Sequence, residues 1–251
     1  MMKKLLLATT LFMLAANFAF SQNPTAAQLL QRIDANEVFV TIQYEGEMVI
    51  EHNRRRFVKT MNVWQRGTTD SFIEFTNRED RGIRYLRTEA GLWYYSPDNE
   101  RVMEISSHIR NWMNSDLSFE DTVENEPLAI RYDAVLSGSE ILNTPNGRRD
   151  AWVLELNVKR GRTESYPRRK LWIDKENDDL LRFELFAQNR TSLLQEYNLL
   201  RVETINGRRF PVEIEVRDLQ RRNSRTVVTM RNVVLDRPID PSIFTTRNLT
   251  R

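Results

Sequence analysis

Residues that could carry catalytic chemistry are scarce in this sequence. His52 and His108 are its two histidines, and it has no cysteine. A zinc site would therefore have to rely on carboxylates, whereas protein zinc sites are usually built from cysteine and histidine. His108 could join Ser106 and Asp116 in a hydrolytic trio, but such a trio requires a geometry that the sequence does not specify. We expect no catalytic residues and no metal site, and hence a protein that is not an enzyme.

Two further signals of chemistry are equally weak. Glu120 and Asp121 resemble a pair of catalytic acids, but neighbouring residues point in different directions on a strand or a helix. A role in helix capping or in a turn fits them better. The sequence has only eight glycines and no glycine-rich loop that could hold a phosphate. We therefore predict no cofactor.

The strongest chemical signal is apolar surface. Residues 92–122, LWYYSPDNERVMEISSHIRNWMNSDLSFEDT, carry many large apolar side chains without a simple period. Methionine and aromatic side chains adapt to ligands of variable shape. We predict a hydrophobic ligand cavity and its lid from these residues, together with inward positions of later strands. The predicted set is Trp93, Tyr95, Met103, Ile105, Trp112, Met113, Leu117, Phe119, Trp152, Leu154 and Phe183.

The elements that must position these residues are mostly strands. Apolar and polar residues alternate in several stretches, and a hairpin with the turn Pro97-Asp98-Asn99 joins two of them. Such alternation predicts antiparallel strands that are covered on one face. We predict a mainly β fold with a few helices (α+β), a curved antiparallel sheet or half-barrel. The predicted strands include 38–44, 57–64, 71–76, 83–88, 92–95, 101–106, 152–158, 181–187 and 210–216.

Two helical segments are predicted. Thr25 and Gln28 form a capping box, and Leu29, Leu30 and Ile33 follow at helical spacing. The second segment lies within 108–123, between two blocks of strands, where it could cover the open face of the sheet. Pro238 and Pro241 predict a turn into Ile243-Phe244 near the end of the chain.

The first 21 residues have the pattern of a cleavable signal peptide. Lys3 and Lys4 precede an apolar run, and Ala19 and Ser21 stand at the −3 and −1 positions of a cleavage site. The run is short for a bilayer span, which needs about 20 apolar residues. We expect one domain over residues 22–251 and a soluble periplasmic protein. Without cysteine it can have neither disulfides nor a lipid anchor on an N-terminal cysteine.

Charge argues against a nucleic-acid partner. The chain has 37 Lys+Arg and 35 Asp+Glu, and without Lys3 and Lys4 the count is 35 against 35. Binding to phosphates along a nucleic acid needs a net basic surface. Three basic runs, Arg54–Arg56, Arg168–Lys170 and Arg221-Arg222, have acidic residues nearby. We expect them to be solvated turns and strand faces rather than phosphate sites.

The central segment resembles one protein family. In the outer-membrane lipoprotein-sorting proteins, relatives of the periplasmic lipoprotein carrier of the Lol system, a strand led by tryptophan ends in a proline turn. A strand containing arginine follows, and then a segment of the form Met-Gly-Ser-Asp-Phe-Ser-Tyr-Glu-Asp. The corresponding parts here are Leu92–Pro97, Arg101-Val102 and Met113–Asp121.

The resemblance extends over essentially the whole chain after the signal peptide, with departures. The helix at Leu29–Asn36 and the closing Ile243–Thr245 and Asn248-Leu249 are similar to the family. Asn114 replaces a glycine, and asparagine adopts positive φ more readily than most residues. Phe119 replaces a tyrosine, so a hydrogen bond from that hydroxyl is lost.

The resemblance implies a LolA/LolB-like half-barrel with a hydrophobic concave cavity that is closed by helices. It implies a passive periplasmic carrier that binds acyl chains of lipoproteins and sorts them to the outer membrane, with an inner-membrane donor and an outer-membrane acceptor. The Trp112–Phe119 segment would act as the lid. Two alternatives stay open: a carrier of free phospholipid or glycolipid, and a sensing module that docks on an inner-membrane signalling protein.

Overall fold

The computed structural model describes residues 23–106 and 109–251. The predicted signal peptide and His108 lie outside the described residues. Within them, no helix is long and apolar enough to cross a membrane.

One antiparallel sheet of thirteen strands organises the described part of the chain. Its strand order is β6-β5-β4-β3-β2-β1-β13-β12-β11-β10-β9-β8-β7, so that β1 pairs with β13 and the edges are β6 and β7. The predicted mainly β, curved antiparallel fold is confirmed. The strands are β1 (Thr41–His52), β2 (Arg55–Arg66), β3 (Asp70–Phe75), β4 (Arg84–Thr88), β5 (Gly91–Ser96), β6 (Arg101–Ile105), β7 (Tyr132–Thr144), β8 (Gly147–Val158), β9 (Arg168–Asp174), β10 (Leu180–Phe186), β11 (Leu193–Ile205), β12 (Arg208–Asp218) and β13 (Ser224–Leu235).

Turn residues set the hairpins, as predicted for the Pro97 turn. The Pro97 turn joins β5 to β6, and Asn206-Gly207 joins β11 to β12. Asn206 and Gly207 both have positive φ, 51° and 77°. This is the backbone that a tight two-residue hairpin requires, and asparagine followed by glycine adopts it at little cost.

The first helix, α1 (Ala26–Glu37), begins at the predicted capping box of Thr25 and Gln28. It buries Leu29, Leu30 and Ile33 against the inner faces of β8 and β9. Burying a leucine or isoleucine side chain fully is worth about 1.5–3 kcal/mol. These three residues therefore hold the helix on the sheet.

Two short helices follow β6, where one helical segment was predicted. α2 (Phe119–Val123) starts at a capping box of Ser118 and Asp121, which confirms a capping role for Asp121. α3 (Leu128–Arg131) was not predicted, because four residues carry no helical period. Its first amides, those of Leu128 and Ala129, donate to the Asp34 carboxylate of α1 over 2.8 and 3.0 Å. Tertiary contact thus provides the cap that the local sequence lacks.

The segment before α2 fills the concave face over β1–β5. Trp112, in a short 3₁₀ helix (Trp112–Asn114), and Phe119 are almost fully buried there against Phe75 and Tyr85. The rings of Trp112 and Phe119 lie 5.7 Å apart, edge to face. This part of the interior is a packed core.

The convex face is covered over the same strands by the C-terminal residues. Two 3₁₀ helices, Pro241–Phe244 and Thr246–Thr250, place Phe244 and Leu249 against Phe72 and Leu86. The turn predicted from Pro238 and Pro241 is the entry to this segment. Both faces of β3–β5 are therefore buried.

Candidate functional site

A cavity of about 240 Å³ lies between the concave face and the helices. A single water needs only about 10–15 Å³ on this kind of measure, so the space is large enough for a ligand. Strands β9–β13, β1 and β2 form its floor, and the ends of α1, α2 and α3 form its roof. Its apolar lining consists of Ile33, Val38, Phe39, Ile42, Tyr44, Leu128, Leu171, Leu180, Phe183, Leu185, Tyr197, Phe210, Pro211, Ile214 and Met230.

The floor follows from the alternation of the strands. Phe210, Val212, Ile214 and Val216 occupy every second position of β12, and neighbouring strands in register continue the same face. On β10 and β11 the rings of Phe183 and Tyr197 stack with centroids 4.2 Å apart. The floor is largely apolar, which suits a hydrocarbon ligand, and its polar side chains Gln65 and Arg169 already donate to the Thr122 carbonyl and to Glu124.

Hydrogen bonds from side chains to the backbone hold the roof in place. The amide nitrogen of buried Asn125 donates to the carbonyls of Phe39 and Gly67 over 2.8 and 2.7 Å. The Phe39 amide donates in turn to Asn125 Oδ1. The side-chain amide of Gln65 donates a further hydrogen bond to the Thr122 carbonyl over 2.7 Å. These hydrogen bonds hold the loop between α2 and α3 at the end of the β1–β2 pair, where β1 begins and β2 ends.

An ion-pair cluster around the buried Arg169 stands at one wall of the cavity. Arg169, only 5% exposed, donates both terminal guanidinium nitrogens to Glu124, each over 2.9 Å. Its Nε donates to the Tyr132 hydroxyl, and Arg131 also pairs with Glu124. Burial alone raises the pKa of Glu124, but the two arginines outweigh it and lower the pKa to about 2. Arg169 is therefore not the solvated residue that was expected of the Arg168–Lys170 run.

A second carboxyl at the cavity has the opposite shift. Burial, together with the nearby carboxylates of Asp34 and Asp179, raises the pKa of Glu37 to about 8. Glu37 is therefore mostly protonated at neutral pH. A neutral carboxyl in the roof keeps the charge of the cavity wall low, which suits an apolar ligand.

The cavity adjoins a polar cleft. Asp121, Glu124, Asn125 and Glu126 line both spaces. The cleft measures about 620 Å³, and its other lining residues are polar or charged: Thr68, Thr69, Arg87, Glu120, Arg131, Thr163, Glu164, Ser165, Tyr166 and Gln188. An apolar space beside a polar one is matched to an amphiphile with a hydrocarbon chain and a polar group.

Trp93 and Tyr95, two residues of the predicted ligand-binding set, do not line this cavity. They belong to the convex cluster beneath Phe244 and Leu249. Their neighbours on β5, Leu92 and Tyr94, contact the concave core instead. Successive residues of a strand face opposite sides, so the two predicted aromatics lie on the side away from the cavity.

The predicted lid residues also lie outside the cavity wall. Trp112, Leu117 and Phe119 are core residues, and Met113 accepts a hydrogen bond from the Tyr85 hydroxyl over 3.4 Å. Buried Asp116 fixes the segment to β13, where its amide and carboxylate bond the Thr226 hydroxyl over 3.0 and 2.8 Å. In this structure the segment belongs to the packed core beside the cavity.

The remaining predicted residues are divided among four places. Met103 is 39% exposed on the edge strand β6, and Ile105 contacts the concave core. Trp152 and Leu154 pack beneath α1. Phe183 is the one residue of the predicted set that lines the cavity.

Sequence reasoning missed most of the cavity wall. The alternation of β12 was visible, but it did not distinguish Phe210 and Ile214 from ordinary core residues. Asn125 had no local signal at all, because its partners Phe39 and Gly67 are far away in sequence. A roof residue of this kind becomes identifiable only once the strands have been assembled.

The described side chains do not form an obvious reactive centre. Among residues 23–106 and 109–251 no three histidines, cysteines or carboxylates are grouped as metal ligands. The strongly shifted carboxyls, Glu124 and Glu37, have shifts explained by two arginines and by burial respectively.

Comparison with known proteins gives the same fold. A family model described as an uncharacterized protein matches residues 67–251, more than half of the chain. None of the curated proteins compared with the chain matches it. A protein of the DUF1329 family from Desulfovibrio piger is 24% identical, with a TM-score of 0.76, over 89% of this chain and 97% of that one.

Two further solved structures bear on the predicted resemblance. A LolA superfamily protein from Nitrosomonas europaea is 19% identical with a TM-score of 0.72, over 90% of this chain and 100% of that one. A domain described as an outer membrane lipoprotein-sorting protein, from Vibrio parahaemolyticus, is 18% identical with a TM-score of 0.73, over 90% and 98%. The resemblance predicted from Leu92–Asp121 is confirmed in the fold. The chain belongs to the family of uncharacterized proteins whose model matches residues 67–251, and it has the fold of the LolA superfamily.

Proposed function

We propose that this protein is a periplasmic carrier that shelters the acyl chains of lipoproteins on their way to the outer membrane. The observation that carries the proposal is the cavity itself, a largely apolar space between the sheet and three helices that adjoins a polar cleft. The acyl chain occupies the apolar part. The polar cleft receives the glyceride or peptide end of the cargo.

Burial of a hydrocarbon chain provides the binding energy. A chain of roughly 14 carbons would gain on the order of 11 kcal/mol at about 0.8 kcal/mol per CH₂ group. At about 240 Å³ the cavity is slightly smaller than the usual range of about 300–1,000 Å³ for ligand pockets. A whole chain therefore needs the roof near Asn125 to move outward. A roof held by a few hydrogen bonds is compatible with both uptake and release.

Transfer in this proposal is passive. The sequence has no glycine-rich phosphate loop to couple transport to a nucleotide. Cargo therefore moves from an inner-membrane donor through the carrier to an outer-membrane acceptor by differences in affinity. The lipoprotein-sorting domain with the same fold supports lipoproteins as the cargo in preference to free lipids.

Native mass spectrometry of protein purified from a Gram-negative periplasm tests the proposal. We expect bound lipoprotein or acylated peptide, and uptake of a triacylated peptide in vitro. Recovery of phospholipid or glycolipid alone would assign the cargo to free lipids. A stable inner-membrane partner and no lipid would favour the sensing module. Absence of bound lipid together with absence of uptake would refute the carrier.

A matched pair of variants ties the activity to the cavity. Ile214→Phe places a ring in the cavity, because Ile214 belongs to its floor. Ile141→Phe makes the same chemical change at an exposed position of the edge strand β7. We expect Ile214→Phe to weaken uptake of the triacylated peptide at least tenfold and Ile141→Phe to leave it unchanged. Equal uptake by both would show that the cargo binds elsewhere.

A further inference from the structure

The sheet brings together two arginine runs that are far apart in the sequence. β1 pairs with β13, and His52 stands opposite Ser224 at the end of the pair. The β1–β2 turn therefore lies beside the β12–β13 turn, and the Asn53 amide donates to the Asn223 carbonyl over 3.2 Å. We call these two turns the arginine edge, defined by Arg54, Arg55, Arg56, Arg221 and Arg222.

Most of these arginines are not used by the fold. Arg54, Arg55, Arg56 and Arg222 are exposed, and within the described residues they have neither an ion pair nor a side-chain hydrogen bond. Arg221 differs, since it donates to the Ser115 carbonyl over 2.6 Å. Four unpaired guanidinium groups are left on adjacent turns.

The charge continues along the same end of the sheet. Antiparallel hairpins place every second turn at the same end, and the next two turns there carry Arg190 and then Lys159, Arg160 and Arg162. At the other end, the β9–β10 turn is acidic, with Glu176, Asp178 and Asp179. The arginine edge is thus a local basic patch on a formally neutral chain, and such a patch is attracted to an anionic surface.

Exposed apolar side chains accompany the arginines. Phe57 follows the first run and Leu219 precedes the second, and each is 46% exposed. Val58 is also exposed. Arginine combined with exposed aromatic and aliphatic side chains is typical of segments that lie at a membrane interface, where the cations meet lipid phosphates and the apolar groups enter the acyl boundary.

We propose that the arginine edge docks on the surface of an anionic phospholipid bilayer. The exposed apolar residues favour a bilayer over an acidic protein as its partner. The edge lies at the opposite end of β1 and β12 from Ile42 and Phe210 of the cavity. Docking therefore requires neither an open nor a filled cavity, and it goes beyond the carrier function.

Sedimentation with vesicles tests the docking. Vesicles of equal parts phosphatidylglycerol and phosphatidylcholine should bind the purified protein, and vesicles of phosphatidylcholine alone should not. Binding should weaken as salt is raised, because salt screens exposed charges. The combined variant R54Q/R55Q/R56Q/R222Q should bind at least tenfold more weakly. Wild-type protein that ignores anionic vesicles, or a combined variant that binds as well as wild type, would overturn the proposal.

Two controls separate charge number from charge position. The variant R148Q/R237Q/R247Q/R251Q loses the same four charges at exposed positions away from the arginine edge, and it should bind like wild type. F57S/L219S should weaken binding severalfold while preserving its dependence on salt. If R148Q/R237Q/R247Q/R251Q lost as much binding as the edge variant, net charge would explain the effect and the arginine edge would not.

The cavity variant separates this inference from the proposed function. Ile214→Phe should bind anionic vesicles like wild type even though its acyl uptake is reduced. The edge variant R54Q/R55Q/R56Q/R222Q should take up the triacylated peptide normally. Joint loss of vesicle binding and uptake in either variant would show one shared site and would contradict a separate docking surface.

Discussion

At the scale of the residue, two carboxyls in the cavity wall are shifted in opposite directions by their neighbours. Glu124 stands between Arg169 and Arg131, and its pKa falls to about 2. Glu37 has no cation to offset its burial beside Asp34 and Asp179, and its pKa rises to about 8. The first charge contributes to stability, whereas ionisation of Glu37 costs stability.

This contrast predicts how stability depends on pH. The pKa of Glu37 is higher in the folded protein than the ordinary glutamate value of 4.5, so the folded state binds more protons. Its contribution to the free energy of unfolding therefore decreases as pH rises from about 4.5 to 8. Glu124 titrates below this window.

The variant Glu37→Gln stays neutral at every pH, and it should gain stability relative to wild type as pH rises through this window. Chemical denaturation of both proteins at pH 5 and pH 8 measures the difference. A stability difference that is the same at both pH values would contradict a raised pKa at Glu37.

At the scale of the element, one backbone position shows how the segment before α2 keeps its shape. Asn114 has φ of 65° where the resembling family has glycine, and Arg221 donates to its carbonyl over 3.1 Å. Asparagine tolerates this left-handed conformation better than most other non-glycine residues do.

Substitution of Asn114 provides a matched test. Asn114→Gly should change the free energy of unfolding by less than about 0.5 kcal/mol, because glycine adopts positive φ freely. Asn114→Ala should lose about 1–2 kcal/mol, because alanine is strained there. Thermal or urea denaturation measures both. An alanine variant as stable as the glycine variant would show that the turn can relax to another backbone conformation.

At the scale of the whole molecule, the sheet separates two interiors. The convex cluster of Phe72, Leu86 and Phe244 contributes stability, and the cavity lies on the other face of the sheet. Phe244 also lies 4.8 Å from the guanidinium of Arg66. Because a continuous sheet lies between the two regions, a change in one should leave the other intact.

Phe244→Ala should therefore reduce stability without reducing binding. Truncating a buried phenylalanine costs about 3–5 kcal/mol. Denaturation should show that loss, while uptake of the triacylated peptide, measured well below the melting temperature, should equal that of wild type. A parallel loss of uptake would mean that the convex cluster positions the cavity.

The sequence by itself determined what is local. Alternation predicted most of the strands, turn residues predicted the hairpins, and Thr25 with Gln28 predicted the start of α1. These signals act within a few residues, through backbone conformation and side-chain direction. The alternation suggested a curved fold on its own, and the resemblance at Met113–Asp121 supported the same fold.

Only the tertiary structure decided which side of each strand is inside. Alternation shows that Trp93 and Tyr95 share a face, but it cannot show which face is concave. Both residues lie beneath Phe244, far from them in sequence. The cavity wall and the arginine edge depend equally on the pairing of β1 with β13, and the physical reason is that strand pairing joins residues whose separation in the sequence carries no local signal.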